Sequence, residues 1–159
     1  MADPVEIRLA TENDVQRVAE LAGRLRTDVN QPAPGMSADS IRRDVFEIPV
    51  RLQIYVAVGE GEIVGYASFQ DFYEPGSAEL GIHLCDIYVL PEARKRGIGL
   101  ALMEAVSAEA LRKARRFMWW IAAEENEAAR GFYRSLGAKD ALVRSYVLPL
   151  GGTAQKRPI

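Results

Sequence analysis

Between Asp86 and Gly99 the chain runs from an apolar segment (Ile87-Tyr88-Val89-Leu90) through Pro91 into a basic stretch closed by Gly97 and Gly99, after which helical periodicity begins. Such a string reads as a buried strand, a tight turn and an amphipathic helix in direct succession. The first amides of a helix have no intrahelical acceptor and sit at the positive end of its dipole, so this turn is a seat for a phosphate or pyrophosphate. Gly97 and Gly99 carry no Cβ and let the backbone approach a ligand closely. Arg94, Lys95 and Arg96 add positive charge beside them. The dinucleotide fingerprint G-x-G-x-x-G fails because Leu102 stands at its last position, and no Gly-Lys-Ser/Thr of a Walker loop follows. What remains is R-x-x-G-x-G, from Arg94 through Gly97 to Gly99.

A second block follows the apolar run at residues 117–122. Asn126 is suited to cap a helix, Ala129, Phe132, Tyr133 and Leu136 recur on one helical face, and Gly137 suits the stop. The two blocks in this order, R-x-x-G-x-G and then N-x-x-A-x-x-F-Y followed by Leu136-Gly137-Ala138, resemble the GNAT superfamily of N-acetyltransferases. The resemblance is strong over residues 80–138 and weaker before them.

The resemblance implies an α/β (α+β) fold: a mixed, mostly antiparallel twisted sheet flanked by helices, with a splayed central strand pair. It implies acetyl-CoA as co-substrate, its pantetheine arm entering between the strand before the basic turn and the strand at residue 117. Ile87, Tyr88 and Val89 would line that arm through backbone groups. Arg94, Lys95, Arg96, Gly97, Ile98, Gly99 and Leu100 would hold the pyrophosphate, and Asn126 would reach the cofactor from the other side. Tyr133 matches the family position of the acid that protonates the departing thiolate. No metal is expected.

Acyl transfer to an amine also needs a group to accept a proton and a donor for the oxyanion. Period-two alternation puts His83, Cys85, Ile87 and Val89 on one strand face and Asp86 and Tyr88 on the other. Relatives place a glutamate at positions corresponding to His83 or Cys85, and neither is glutamate here. His83, the single histidine, has an ordinary pKa suited to a base at neutral pH. Glu79 acting through water is an alternative, and Asp86 reads as a structural partner. Cys85 raises the idea of an acetyl-cysteine intermediate, but buried packing is the commoner role of a free cysteine, and direct transfer in a ternary complex is the default.

At 159 residues, with 48% hydrophobic and 26% charged residues, the chain suits one domain over residues 1–150 and a flexible tail over 151–159. One cysteine excludes an intrachain disulfide and fits a reducing compartment. There is no apolar run of membrane-spanning length and no signal-peptide pattern, so a cytoplasmic protein is expected. A net charge of −2 disfavours nucleic acid as a partner, and the run from Arg112 to Arg116 reads as a solvated helix end.

The expected order is β-α-α-β-β-β-α-β-α-β. A strand covers 5–9, and a helix capped by Thr11 carries Val15, Val18, Ala22 and Leu25 as its apolar stripe. A second helix capped by Ser37 buries Ile41, Val45 and Ile48. A hairpin joins 53–58 to 63–69, a polar and aromatic loop covers 71–78, and a strand covers 79–89. Ile98, Ala101, Leu102, Ala105 and Val106 form the core face of the next helix, and 141–148 holds a closing strand or two short ones. Trp119 and Trp120 point to opposite faces. The acceptor is an amine on a small molecule or peptide; Asp28, Asp71, Glu74 and Glu79 are candidates to attract it, and Phe72 and Tyr73 to pack its apolar part. A homodimer is compatible with the residues. The competing reading is a non-catalytic acyl-CoA-binding module of the same fold. An unrelated phosphate binder is left little room by the missing fingerprints.

Overall fold

The computed structural model describes residues 5–31, 34–148 and 150. The expected 151–159 tail lies outside them. Five strands form one sheet in sequence order: β1 (Glu6–Leu9), β2 (Gln53–Gly59), β3 (Glu62–Glu74), β4 (Glu79–Val89) and β5 (Met118–Trp119). The first three pairings are antiparallel, and β4 pairs β5 in parallel. The helices are α1 (Val15–Asp28), α2 (Ala38–Ile41), α3 (Ile98–Arg112) and α4 (Glu127–Ser135).

Local chemistry sets the boundaries. Thr11 and Asp14 form a reciprocal capping box at the turn that leads into α1. Ser37 Oγ accepts from the Ser40 amide and opens α2, which continues as a wider helical turn over Arg42–Phe46. Val15, Val18, Leu21 and Ala22 of α1 are buried, as are Ile98, Leu102, Met103, Val106 and Ala110 of α3. The two helices cover opposite faces of the sheet. Arg26 and Asp28 of α1 reach Asp86 and Tyr88, whereas Ser107 of α3 meets Met118, the neighbour of Ile82.

Four expectations are corrected. Residues 71–74 belong to β3 rather than to a loop, because Asp71 to Glu74 pair with Ile82 to Glu79. Ile48 lies past the end of α2 and is 95% exposed, not buried. Val45 is only half-buried. Residues 141–148 form no strand: β5 offers only two residues to pair with, and Leu142, Val143, Tyr146 and Leu148 stay exposed.

Candidate active site

The centre of the site is a fault in the β3–β4 ladder. Phe69 faces Leu84 and the adjacent Ser68 faces Asp86, so Cys85 is an extra residue, a β-bulge. Cross-strand partners share a face and successive residues alternate. Leu84 and Asp86 therefore lie on opposite faces although they are two residues apart. The alternation expected from sequence breaks here: His83, opposite Gln70, shares a face with Asp86 and Tyr88, not with Ile87 and Val89.

On that face Asp86 receives a 2.6 Å hydrogen bond from Arg26 Nη2 and one of 3.2 Å from the Tyr66 hydroxyl. Burial pushes the Asp86 carboxyl up, against the opposing pull of Arg26 and Tyr66. Ser68 Oγ, across the ladder from Asp86, is buried and has no hydrogen-bond partner among the described residues. Desolvation holds His83 below its usual value, and the Asp86 charge partly offsets this. Cys85 Sγ lies 3.7 Å from His83 Nδ1. Cys85 reaches solvent, yet the surrounding protein and then Asp86 push its thiol up to about 11, so it is no ready nucleophile at neutral pH.

The β4–β5 pairing stops at His83 and Trp119. Beyond it, among the described residues, the two strands share no ladder, so one edge of β4 from the bulge toward Val89, whose carbonyl accepts from Arg94, has no strand beside it. Tyr133 stands on α4 with its ring 5.2 Å from that of Trp120. Its hydroxyl is pushed up by burial first and by Asp86 second. Asn126 caps α4, its Oδ1 accepting from the Ala129 amide at 3.1 Å.

At the far end of β4 the basic turn departs from ordinary backbone. Lys95 has φ 59° and Gly97 has φ 78°, both left-handed. Nothing lies within 4 Å of a Cβ placed on Gly97, whereas one on Gly99 would stand 3.3 Å from Phe132. Gly99 thus makes room for α4, and Gly97 serves the turn. Ala101 is the first residue of α3 whose amide bonds back, to the Gly97 carbonyl at 3.0 Å, which leaves the amides of Ile98, Gly99 and Leu100 without a partner among the described residues. The side chains of Lys95, Arg96 and Leu100 are exposed, and that of Ile98 is buried in the core. Arg94 donates to the Val89 carbonyl at 2.8 Å and to Asp28 at 3.2 Å, with its guanidinium 5.6 Å from the Tyr88 ring centre. Its charge is therefore shared with α1.

The acids expected to collect an amine already have partners. Asp28 accepts from Tyr88 and Arg94, Asp71 from Arg115, and Glu74 from the Gly76 amide, while Glu79 lies 3.7 Å from Arg116. Arg26 and Tyr66 were not foreseeable as parts of the site, since their bonds to Asp86 span 60 and 20 residues of sequence. Among the described residues no group of acids, histidines and cysteines is placed to hold a metal. Nor is any helix long and apolar enough to cross a membrane.

The profile of the acetyltransferase (GNAT) family matches residues 19–138. Thialysine N-ε-acetyltransferase of Bos taurus is 31% identical over 145 residues, covering 86% of this chain and 85% of that protein. The Mus musculus protein of the same name is 29% identical over 143 residues, 84% of each. Among solved structures, an aminoglycoside acetyltransferase from an uncultured soil metagenomic sample superposes with a TM-score of 0.77 at 19% identity, covering 92% of this chain and 97% of that one. An aminoglycoside N-acetyltransferase in complex with CoA gives a TM-score of 0.76 at 21% identity, covering 92% and 95%. Motifs, sheet and family profile converge: the chain belongs to the GNAT acetyltransferase family and is an N-acetyltransferase.

Proposed function

We propose that the enzyme moves an acetyl group from acetyl-CoA to a primary amine of a small molecule or peptide, directly, in a ternary complex. The observation that carries this reading is the open edge of β4, which leads from the bulge at Cys85 into a turn with three unpaired amides. The residues fit the group. The amides of Ile98, Gly99 and Leu100 and the space around Gly97 accept a pyrophosphate, and Lys95 and Arg96 neutralise it. Arg94 acts by closing the turn onto β4 and Asp28. Ile87 and Val89 turn their backbone groups toward the open edge, whereas the Tyr88 carbonyl lies toward Gly65 of β3, so Tyr88 would line the arm with its side chain. Asn126 would reach the cofactor from the start of α4.

When bound, acetyl-CoA supplies a thioester at the bulge. His83, neutral at physiological pH, takes the proton from the incoming ammonium, directly or through water. An amide at the bulge donates to the developing oxyanion. Tyr133 keeps its proton throughout the neutral range and hands it to the leaving sulfur. The high thiol pKa of Cys85 favours direct transfer over an acetyl-cysteine. The cytoplasm, where that thiol stays reduced, is the compartment in keeping with this reading.

Calorimetric titration with acetyl-CoA, followed by CoA-thiol release across an amine panel, tests the proposal. Micromolar one-site binding and amine-dependent thiol release are expected. A folded protein that binds no acetyl-CoA overturns it.

A further inference from the structure

Three aromatic rings converge over Gly81. A Cβ on that residue would lie 2.5 Å from the Phe117 ring, so only glycine admits the arrangement. Phe72, the cross-strand partner of Gly81, stacks on Trp119 with ring centres 5.3 Å apart and an interplanar angle of 14°, and meets Phe117 edge-on at 6.1 Å. His83 leans on the same indole at 4.6 Å. Trp119 nevertheless keeps 42% of its surface exposed.

The platform adjoins the site already described and shares its face of the sheet. His83 touches both Trp119 and Cys85, so the aromatic surface runs up to the bulge. The basic turn lies beyond the other end of β4. A cofactor seated there reaches the bulge from the Val89 side, and the platform occupies the side left for the acceptor. Its chemistry is apolar. Asp28, Asp71, Glu74 and Glu79 are all engaged, and Asp86, the carboxylate on this face beside His83, is held by Arg26 and Tyr66. A monoamine with a flat body needs a ring to stack on and one base, and the platform and His83 supply both.

We infer that the acceptor is an arylalkylamine whose ring stacks on Trp119 and whose amino group lies at His83. Trp119 and Phe72 are then specificity-determining residues, and Gly81 is what lets them meet. This rests on the acetyl-CoA-dependent reading above.

The test compares kcat/KM for phenethylamine and tryptamine with that for sisomicin and thialysine, using wild type, Trp119→Ala and Trp119→Phe. The arylalkylamines should exceed the other two by about tenfold, the ratio one stacked aromatic contact supplies. Trp119→Ala should raise KM for them by about tenfold with kcat and acetyl-CoA affinity little changed, and Trp119→Phe should restore most of the loss. Trp119→Phe also keeps the test open if Trp119→Ala does not fold: its KM should then shift for tryptamine more than for an aliphatic amine. Preference for sisomicin or thialysine, or a KM indifferent to Trp119, overturns the inference while leaving acetyl-CoA binding intact. A Trp119→Ala variant that turns a dimer into a monomer without altering KM also overturns it, and assigns the ring to a subunit contact. Failure of wild type to bind acetyl-CoA removes the underlying reading, and this inference with it.

Discussion

Arg26 on α1 and Asp86 on β4, sixty residues apart in sequence, are joined by a 2.6 Å hydrogen bond at the bulge. The Asp86 side chain is only 10% exposed, and its charge reaches His83, Cys85 and Tyr133. Arg26→Met should leave that buried carboxylate without its cation, with only the Tyr66 hydroxyl still donating to it, lowering stability by about 2 kcal/mol near neutral pH. Because the folded-state pKa of Asp86 is already raised and rises further without Arg26, the loss should shrink as the pH falls and Asp86 takes up its proton. Urea denaturation at two pH values checks this. A loss that does not change with pH would show that Asp86 is not the group responsible.

The base should show itself in the acid limb of kcat/KM. Desolvation lowers the His83 pKa, so the limb should fall below 6.5, the ordinary value of the group. Asp86 pulls the other way, and Asp86→Asn should move the limb lower still. His83→Ala should abolish it. A His83→Ala profile that retains the wild-type limb would assign the proton transfer to another group.

Tyr133→Phe keeps the ring against Trp120 and removes the proton. The expected result is a fall in kcat of about a hundredfold, with acetyl-CoA affinity within about twofold of wild type. Single-turnover kinetics and calorimetry separate the two. Unchanged kcat would leave Tyr133 a packing residue.

At the other edge of the sheet, Arg8 and the Thr11 cap hold Asp14 down to about 2, from an ordinary 3.8. A depressed carboxylate contributes stability above its unfolded pKa and loses it as the pH falls through the folded one. Asp14→Asn should therefore cost about 2 kcal/mol at neutral pH and nearly nothing at pH about 2, flattening the acid side of the stability curve. Thermal melts between these limits decide the matter, and parallel wild-type and variant curves would contradict it.

Gly81→Ala forces a methyl group against the Phe117 ring, which must move. A loss of about 1–3 kcal/mol is expected, with Trp119 fluorescence altered as the rings part. A variant as stable as wild type would mean that the platform shifts at no cost.

Much of this is legible in the sequence, where local chemistry decides the outcome. β4 has the bounds its apolar and turn residues announce, from Glu79 to Val89. The basic turn, the buried Ile98, Leu102 and Val106 of α3, and the Asn126 cap of α4 follow from periodicity and capping. Other features depend on partners distant in sequence. The bulge at Cys85 exists only as a mismatch with β3, and no glycine marks it. Without the bulge, parity assigns His83 to the wrong face. Residues 71–74 look like a loop until β4 is there to pair with them. The apolar run at 141–148 promises a strand that a two-residue β5 gives no edge to form on.

The fault at Cys85 also bears on how such an enzyme changes its diet. A continuous strand carries one register from end to end, and any shift at one end is felt at the other. Here the ladder is reset midway, so the half from Glu79 to Leu84, which carries Gly81 and His83, keeps its own alignment. The half from Asp86 to Val89 keeps another and leads into the turn. On the proposed reading, substitutions in the first half, or in the Trp119 strand beside it, bear on the acceptor, and those in the second half bear on the acetyl donor.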